Sequence, residues 1–427
     1  MRATVVFLVG SLLLPIAYFG DRASDPTFLL EVTGNALPYG PWLNRAIFMG
    51  PIALAVALFE KWPERVPHVD WRWFDLPMVA WVMTPAITGI FNDSSYDSDL
   101  SQTLYLTITW GMPYVAGRIS LQSFADIRNS FQCLLWAGLV TFAVALFEFI
   151  FGRFVYENLY GNHPYQSDGV SKYFGSRPLL TFEDPNQIGM WWATLALIAF
   201  WQIKFGRSAN FFRGFFSLLL IPVVLFQSVG GFVLSAIGAA FIAIKSPRFI
   251  ASAFFIMVVS GSILFVARGP ILHYGNSLAD STSLGQKTKD VMRKIGVYSF
   301  GWRMARENDH YALEQQRPLI GWGDVNFWKS NEGKIRPWGF ITLVTGAYGA
   351  FGLLAWASLT LVPCILVLRS RRLFNQDEFV ILKTMIVLFL AHAIDAAVNT
   401  AFLLPMVFWI GGLSGVMAKR FKVNETS

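Results

Sequence analysis

The sequence predicts an all-α polytopic membrane protein, and three observations predict it. Hydrophobic residues make up 54% of the 427 and charged residues only 14%, a balance far from that of an ordinary soluble domain. Apolar runs long enough to cross roughly 30 Å of hydrocarbon recur along the whole chain. Lys and Arg gather in alternate connections between those runs.

Each run must be helical, because lipid offers no partner to an open backbone group. Twelve transmembrane helices are expected, near residues 3–20, 43–60, 74–91, 102–117, 131–151, 187–203, 211–227, 229–244, 249–267, 339–368, 378–397 and 400–418. Between Gln227 and Gly231 two spans meet almost without a loop, and Asn399 splits the last apolar stretch. The first span has only Arg2 before it and no small-x-small cleavage pattern before Asp21, so it reads as a retained helix and not a secretory signal. Cys133 and Cys364 fall inside separate spans, which points to packing and away from a disulfide or a thiolate metal site.

Charge sets the orientation. With both termini inside, the inner segments carry Arg2; Lys61, Arg65 and Arg72; Arg118 and Arg128; Lys204, Arg207 and Arg213; Lys245 and Arg248; Arg369, Arg371 and Arg372; and Lys419, Arg420 and Lys422. The short outer loops offer only Arg22. This asymmetry accounts for most of the net charge of +7, so no nucleic-acid partner is needed to explain it. The chain reads as one integral membrane domain over 1–427, with two long outer connections at 152–186 and 268–338.

Within the larger connection an amphipathic helix is expected near 290–314. Val291, Ile295, Tyr298, Trp302 and Ala305 form one stripe, and Ser299, Arg303, Arg306 and His310 form a second beside it. Such a helix suits either the lipid interface or a phosphorylated ligand. It leads to RPLIGWGDVNFW, 317–328, where Pro318, Gly321 and Gly323 predict a tight turn and Trp322, Phe327 and Trp328 offer aromatic surfaces for sugar rings or for the interface. The smaller connection ends in RPLLTFEDPNQIGMWW, 177–192. Arg177, Glu183 and Asp184 stand there before a helix that starts at Pro185 and Asn186, with Asp184 or Asn186 as candidate caps. Inside the spans the clear ionisable residues are Arg45, Glu148, Lys383 and Asp395; Arg45 and Lys383 are placed to snorkel, and His392, Asp395 and Asn399 make one polar stripe facing the bundle interior.

Three segments in order resemble the O-antigen polymerase and ligase family of bacterial inner-membrane glycosyltransferases. They are RPLLTFEDPNQIGM; the Ser-Gly-rich span QSVGGFVLSAIGAAFIAI, 227–244; and GWRMAREN through RPLIGWG into GAYGAFGLLAW, with its Gly-x-x-Gly re-entry. The resemblance covers roughly residues 170–360. One departure matters: Trp338 stands where ligase-like members carry a histidine, which favours a polymerase of repeat units, for exopolysaccharide or O-antigen, over a ligase.

No carboxylate cluster has metal-ligand spacing, so metal-independent chemistry without a cofactor is expected; the resemblance implies an enzyme of the bacterial inner membrane whose two long connections are periplasmic. Its substrate would be an undecaprenyl-pyrophosphate-linked glycan, and its partners membrane lipids, a flippase and chain-length or export proteins. Arg177 and Arg303 would stabilise the leaving pyrophosphate, helped by Arg306. Glu183, Asp184, Trp322, Arg336 and Trp338 would contact substrate. His310 is the preferred base, with Asp309, Glu183, Asp184 and Asp324 as alternatives. Rival classes are a ligase, a lipid-linked oligosaccharide flippase or transporter, and an export subunit; transport fits poorly with spans so nearly empty of charge.

Overall fold

The computed structural model describes residues 2–13, 45–61, 69–92, 96–152, 158, 176–182, 185–205, 215–216, 218–221, 228–269, 281–294, 307, 310–330, 337, 339–399 and 404–426. No strand occurs among them. The helices are α1 (Arg2–Leu13), α2 (Arg45–Lys61), α3 (Leu76–Asn92), α4 (Tyr96–Leu106), α5 (Met112–Ser120), α6 (Phe124–Phe151), α7 (Pro185–Phe205), α8 (Val229–Ala243), α9 (Pro247–Val266), α10 (Ser283–Lys294), α11 (Phe340–Arg369), α12 (Gln376–Val398) and α13 (Leu404–Thr426).

Among the described residues, six helical stretches are long and apolar enough to cross a membrane: Trp73–Asn92, Phe124–Phe151, Asn186–Phe205, Arg248–Val266, Phe340–Arg369 and Gln376–Ala397. Shorter apolar helices run over Arg2–Leu12, Phe48–Glu60 and Val229–Ala243. Of the most apolar window in each, 83% is buried in α12 but 11% in α9, so α12 is central and α9 peripheral.

Local chemistry sets the helix ends. The Ser123 hydroxyl accepts the Asp126 N–H at 3.2 Å to open α6, and Gly152, at φ +89, closes it. Asn375 and Glu378 form a reciprocal capping box at the start of α12. Between α4 and α5 the residues Thr107–Gly111 form a π-turn, because Pro113 has no amide to continue the α ladder. The packing then depends on close approach. A Cβ on Gly117 would lie 1.9 Å from the Phe408 carbonyl oxygen, and one on Gly411 would lie 2.0 Å from that of Tyr114, so α5 and α13 touch backbone to backbone.

The bundle has two unlike ends. At one, the Arg2 amide meets Glu60, Arg420 pairs with Glu378, and Phe124 packs edge-on against Phe374. Arg118 lies there too: its Nε and Nη2 donate to Asp75 at 3.0 and 3.1 Å, its Nη2 also donates to the Asp70 carbonyl, and the Tyr114 hydroxyl completes the Asp75 shell. Arg118 is therefore fully enclosed and not a loop cation. Lys383 does not snorkel to solvent either. Its ammonium donates to the carbonyls of Ile242 and Ile244 at 2.6 and 2.8 Å, capping the negative end of α8. Arg369, Arg371, Arg372 and Lys419 belong to the same basic end.

The opposite end receives the segments around 176–182 and 307–330. There Thr181 donates to Leu12 at the end of α1, Arg317 donates to Asn92 at the end of α3, and the Phe340 amide donates to the Asn399 carbonyl at 2.9 Å. Of the amphipathic helix expected near 290–314, residues 290–294, which end α10, and 310–314 are helical, α10 itself starts earlier at Ser283, and most of 295–309 lies outside the described residues.

Candidate functional site

The span expected over 339–368 is not one continuous helix. α11 breaks at Gly349, which adopts φ 62 and ψ −158, a conformation open in practice only to glycine. A break inside a bundle exposes backbone groups that must find partners. The turn at 317–323 supplies them. Trp322 and Gly323 donate to the carbonyls of Gly346 and Ala347 at 2.9 and 2.8 Å, while Ala350 and Phe351 donate to Pro318 and Leu319 at 2.8 and 3.0 Å. A Cβ on Gly321 or Gly349 would lie within 2.5 Å of the facing backbone. The Pro-x-x-Gly-x-Gly turn and the Gly-x-x-Gly re-entry are thus one structural unit.

Beneath this unit runs a buried polar seam. Glu307, His310 and Glu314 occur at spacings of three and four, and all are buried. Glu307 accepts the Gly339 amide at 2.8 Å, holding the start of α11. Glu314 pairs with Arg268, whose guanidinium lies 3.7 Å from the centre of the Phe265 ring and 5.2 Å from that of Tyr311. Burial lowers the pKa of Arg268 to about 10, opposed by Tyr311 and Glu307, so the cation stays charged at neutral pH. His310 packs edge-on against Phe327, with 6.2 Å between ring centres.

The polar stripe on α12 joins the seam at Gly339 and Phe340. Asn399 donates from its side chain to Asp395, and a Cβ on Gly339 would meet the Ala397 carbonyl at 2.8 Å and Glu307 at 3.4 Å. Deeper in, His392 Nδ1 lies 2.8 Å from the Leu388 carbonyl, which can only accept, and its Nε2 lies 3.4 Å from the Thr194 hydroxyl. The stripe therefore faces the interior, as its spacing indicates.

Arg177 stands at the same end of the bundle. The carboxylate of Glu148, 0% exposed on α6, accepts the Leu179 and Leu180 amides at 3.0 and 2.9 Å. The Ser176 amide donates to the Phe149 carbonyl at 3.1 Å. Arg177 is half-buried, whereas Pro178, Leu179 and Leu180 are buried.

Of the predicted site residues, the structure describes Arg177, His310, Trp322 and the alternative base Asp324. Arg303, Arg306, Glu183, Asp184, Arg336 and Trp338 lie outside the described residues, as does Asp309. Trp322 remains partly exposed, but the Arg317 guanidinium lies 4.5 Å from the centre of its ring and its indole N–H donates to the Leu313 carbonyl at 3.2 Å. Phe327 and Trp328 are not open stacking surfaces: they turn into the core, and Phe327 fills the space beside Gly346. The Asp324 carboxylate accepts the Asn326 amide at 2.9 Å.

Glu307, Glu314, Arg268 and Arg317 were not singled out by the sequence patterns. The stripe through Arg303 and His310 continues through 307 and 314 at helical spacing, and that signal could have found both acids. Among the described residues no group of three His, Cys, Asp or Glu side chains is arranged to hold a metal ion. Neither the family models nor the curated proteins compared with the chain give a match.

Proposed function

We propose that this chain is a polytopic glycosyltransferase, and specifically that it polymerises polyprenyl-pyrophosphate-linked oligosaccharide repeat units at the periplasmic face of the bacterial inner membrane. The observation that carries the reading is the union of the two glycine motifs. The turn at 317–323 seats on the break at Gly349 at the end of the bundle where Arg177 also stands. Irregular backbone at membrane depth is tolerated only where it is buried in protein or lines a cavity, and here it fastens the loop that carries the candidate residues to the bundle. The resemblance to the O-antigen polymerase and ligase family supplies the substrate class, and Trp338 in place of histidine favours polymerase over ligase. On this reading the twelve expected spans cross with the basic end in the cytoplasm.

The chemistry follows from charge. A hydroxyl of one lipid-linked glycan attacks the anomeric carbon of another, and its proton passes to a base such as His310. The bond from that carbon to the pyrophosphate oxygen breaks, and its electron pair leaves with the pyrophosphate. Guanidinium groups held in place before the reaction stabilise the negative charge as it grows. Losing one such contact costs ~2–4 kcal/mol in barrier, or about 10² to 10³ in rate.

The test replaces Arg177, Arg303 and Arg306 singly by Lys and by Ala, confirms membrane insertion, and measures polymer length with a lipid-linked repeat unit as substrate. Lys keeps the charge but loses the forked geometry, so a shaped anion site is impaired by both changes. Full polymer length from all the Ala variants removes the proposal.

A further inference from the structure

We propose that Glu148 is a positioning residue for Arg177, its buried carboxylate fixing the backbone that presents the guanidinium to an anionic group. The inference rests on the polymerase reading for the identity of that anion, and on geometry alone for the positioning.

An ionisable side chain in a membrane helix is expensive unless its charge is satisfied. Glu148 lies one turn from the end of α6 at 0% exposure. Two consecutive amides, of Leu179 and Leu180, converge on its Oε2 at 3.0 and 2.9 Å. Successive N–H groups aimed at one oxygen form an anion-holding nest, and charge-assisted bonds of this kind are stronger than neutral ones.

The nest is connected to Arg177 by a short, stiff path. Pro178 fixes its own φ and biases Arg177 toward extended backbone. On the other side, the Ser176 amide is bound to the Phe149 carbonyl at 3.1 Å. Beyond the nest, Leu180 has φ 48, a conformation disfavoured for leucine that persists only where its surroundings impose it. The Phe182 amide closes the turn onto Leu179 at 2.8 Å, and the Thr181 hydroxyl donates to Leu12 at 2.6 Å. The backbone around Arg177 is thus anchored on both sides, with a carboxylate at the centre of the arrangement.

Two measurements on the full chain in lipid nanodiscs decide the matter. The first is hydrogen exchange at the Leu179 and Leu180 amides in wild type, Glu148→Gln and Glu148→Leu. Gln keeps an acceptor oxygen and Leu does not. The Leu variant is expected to exchange there about ten-fold faster or more, with α6 and α7 protection intact, while Gln stays close to wild type. The second is turnover at saturating polyprenyl-pyrophosphate-linked repeat unit. Glu148→Leu is expected to reduce it on the order of ten- to a hundred-fold, with rescue by Gln and no further loss in an Arg177→Ala background.

Unchanged exchange in Glu148→Leu overturns the positioning role. So does an equal loss of turnover with and without Arg177, or a general loss of protection in both variants, since either marks a merely structural acid. If the wild type makes no polymer, the polymerase reading falls, and the exchange measurement alone decides for or against Glu148.

Discussion

The Trp322 amide donates to the Gly346 carbonyl at 2.9 Å, joining the turn at 317–323 to the point where a long apolar helix breaks. The bond repairs the backbone that the break exposes, and it makes the loop and the helix a single mechanical unit. Disturbing either segment should therefore disturb the other.

Gly349→Ala is expected to destabilise the protein by ~3 kcal/mol or more, because it adds a Cβ 2.4 Å from the Leu319 carbonyl carbon at a positive φ. Thermal unfolding in detergent measures this. Gly230→Ala, where a Cβ meets nothing within 4 Å, is the control and should shift the midpoint little.

Removing one partner of the Arg268–Glu314 pair leaves a buried charge alone. Arg268→Met is expected to cost about 3–5 kcal/mol, and the double variant Arg268→Met with Glu314→Leu to recover much of it. Equal unfolding midpoints for single and double variants would show that the pair is not coupled.

Lys383→Met deletes both bonds to the α8 carbonyls and is expected to lower stability by roughly 2 kcal/mol, read as a lower unfolding midpoint. Lys383→Arg should retain part of that stability, because its guanidinium can reach the same carbonyls.

Labelling tests the sidedness. In a background with Cys133 and Cys364 replaced, Ser281→Cys should react with an impermeant maleimide in intact spheroplasts. Arg371→Cys should react only after permeabilisation. The reverse pattern would place the loop end in the cytoplasm and sink the polymerase reading.

The helical character, the helix start at Pro185, and the inward face of His392 and Asp395 were legible in the sequence, because each depends on local spacing or capping. The site was legible only in part. Motif spacing located Arg177 and the glycine turn, but not the contacts that hold them. Glu148 stood out only as an ionisable residue inside a span, and its partners lie 31 and 32 residues away. Lys383 looked like a snorkelling cation, and the carbonyls it caps belong to a different helix.

Composition and periodicity by themselves determined an all-α chain with apolar helices and a basic end, since solvation acts on each segment separately. Only the tertiary structure decided that α11 breaks at Gly349, that residues 317–323 fill the break, and that Glu307 and Glu148 turn inward. The reason is physical: a buried amide, carbonyl or carboxylate must be satisfied somewhere, and in this protein its partner is supplied by chain that is distant in sequence.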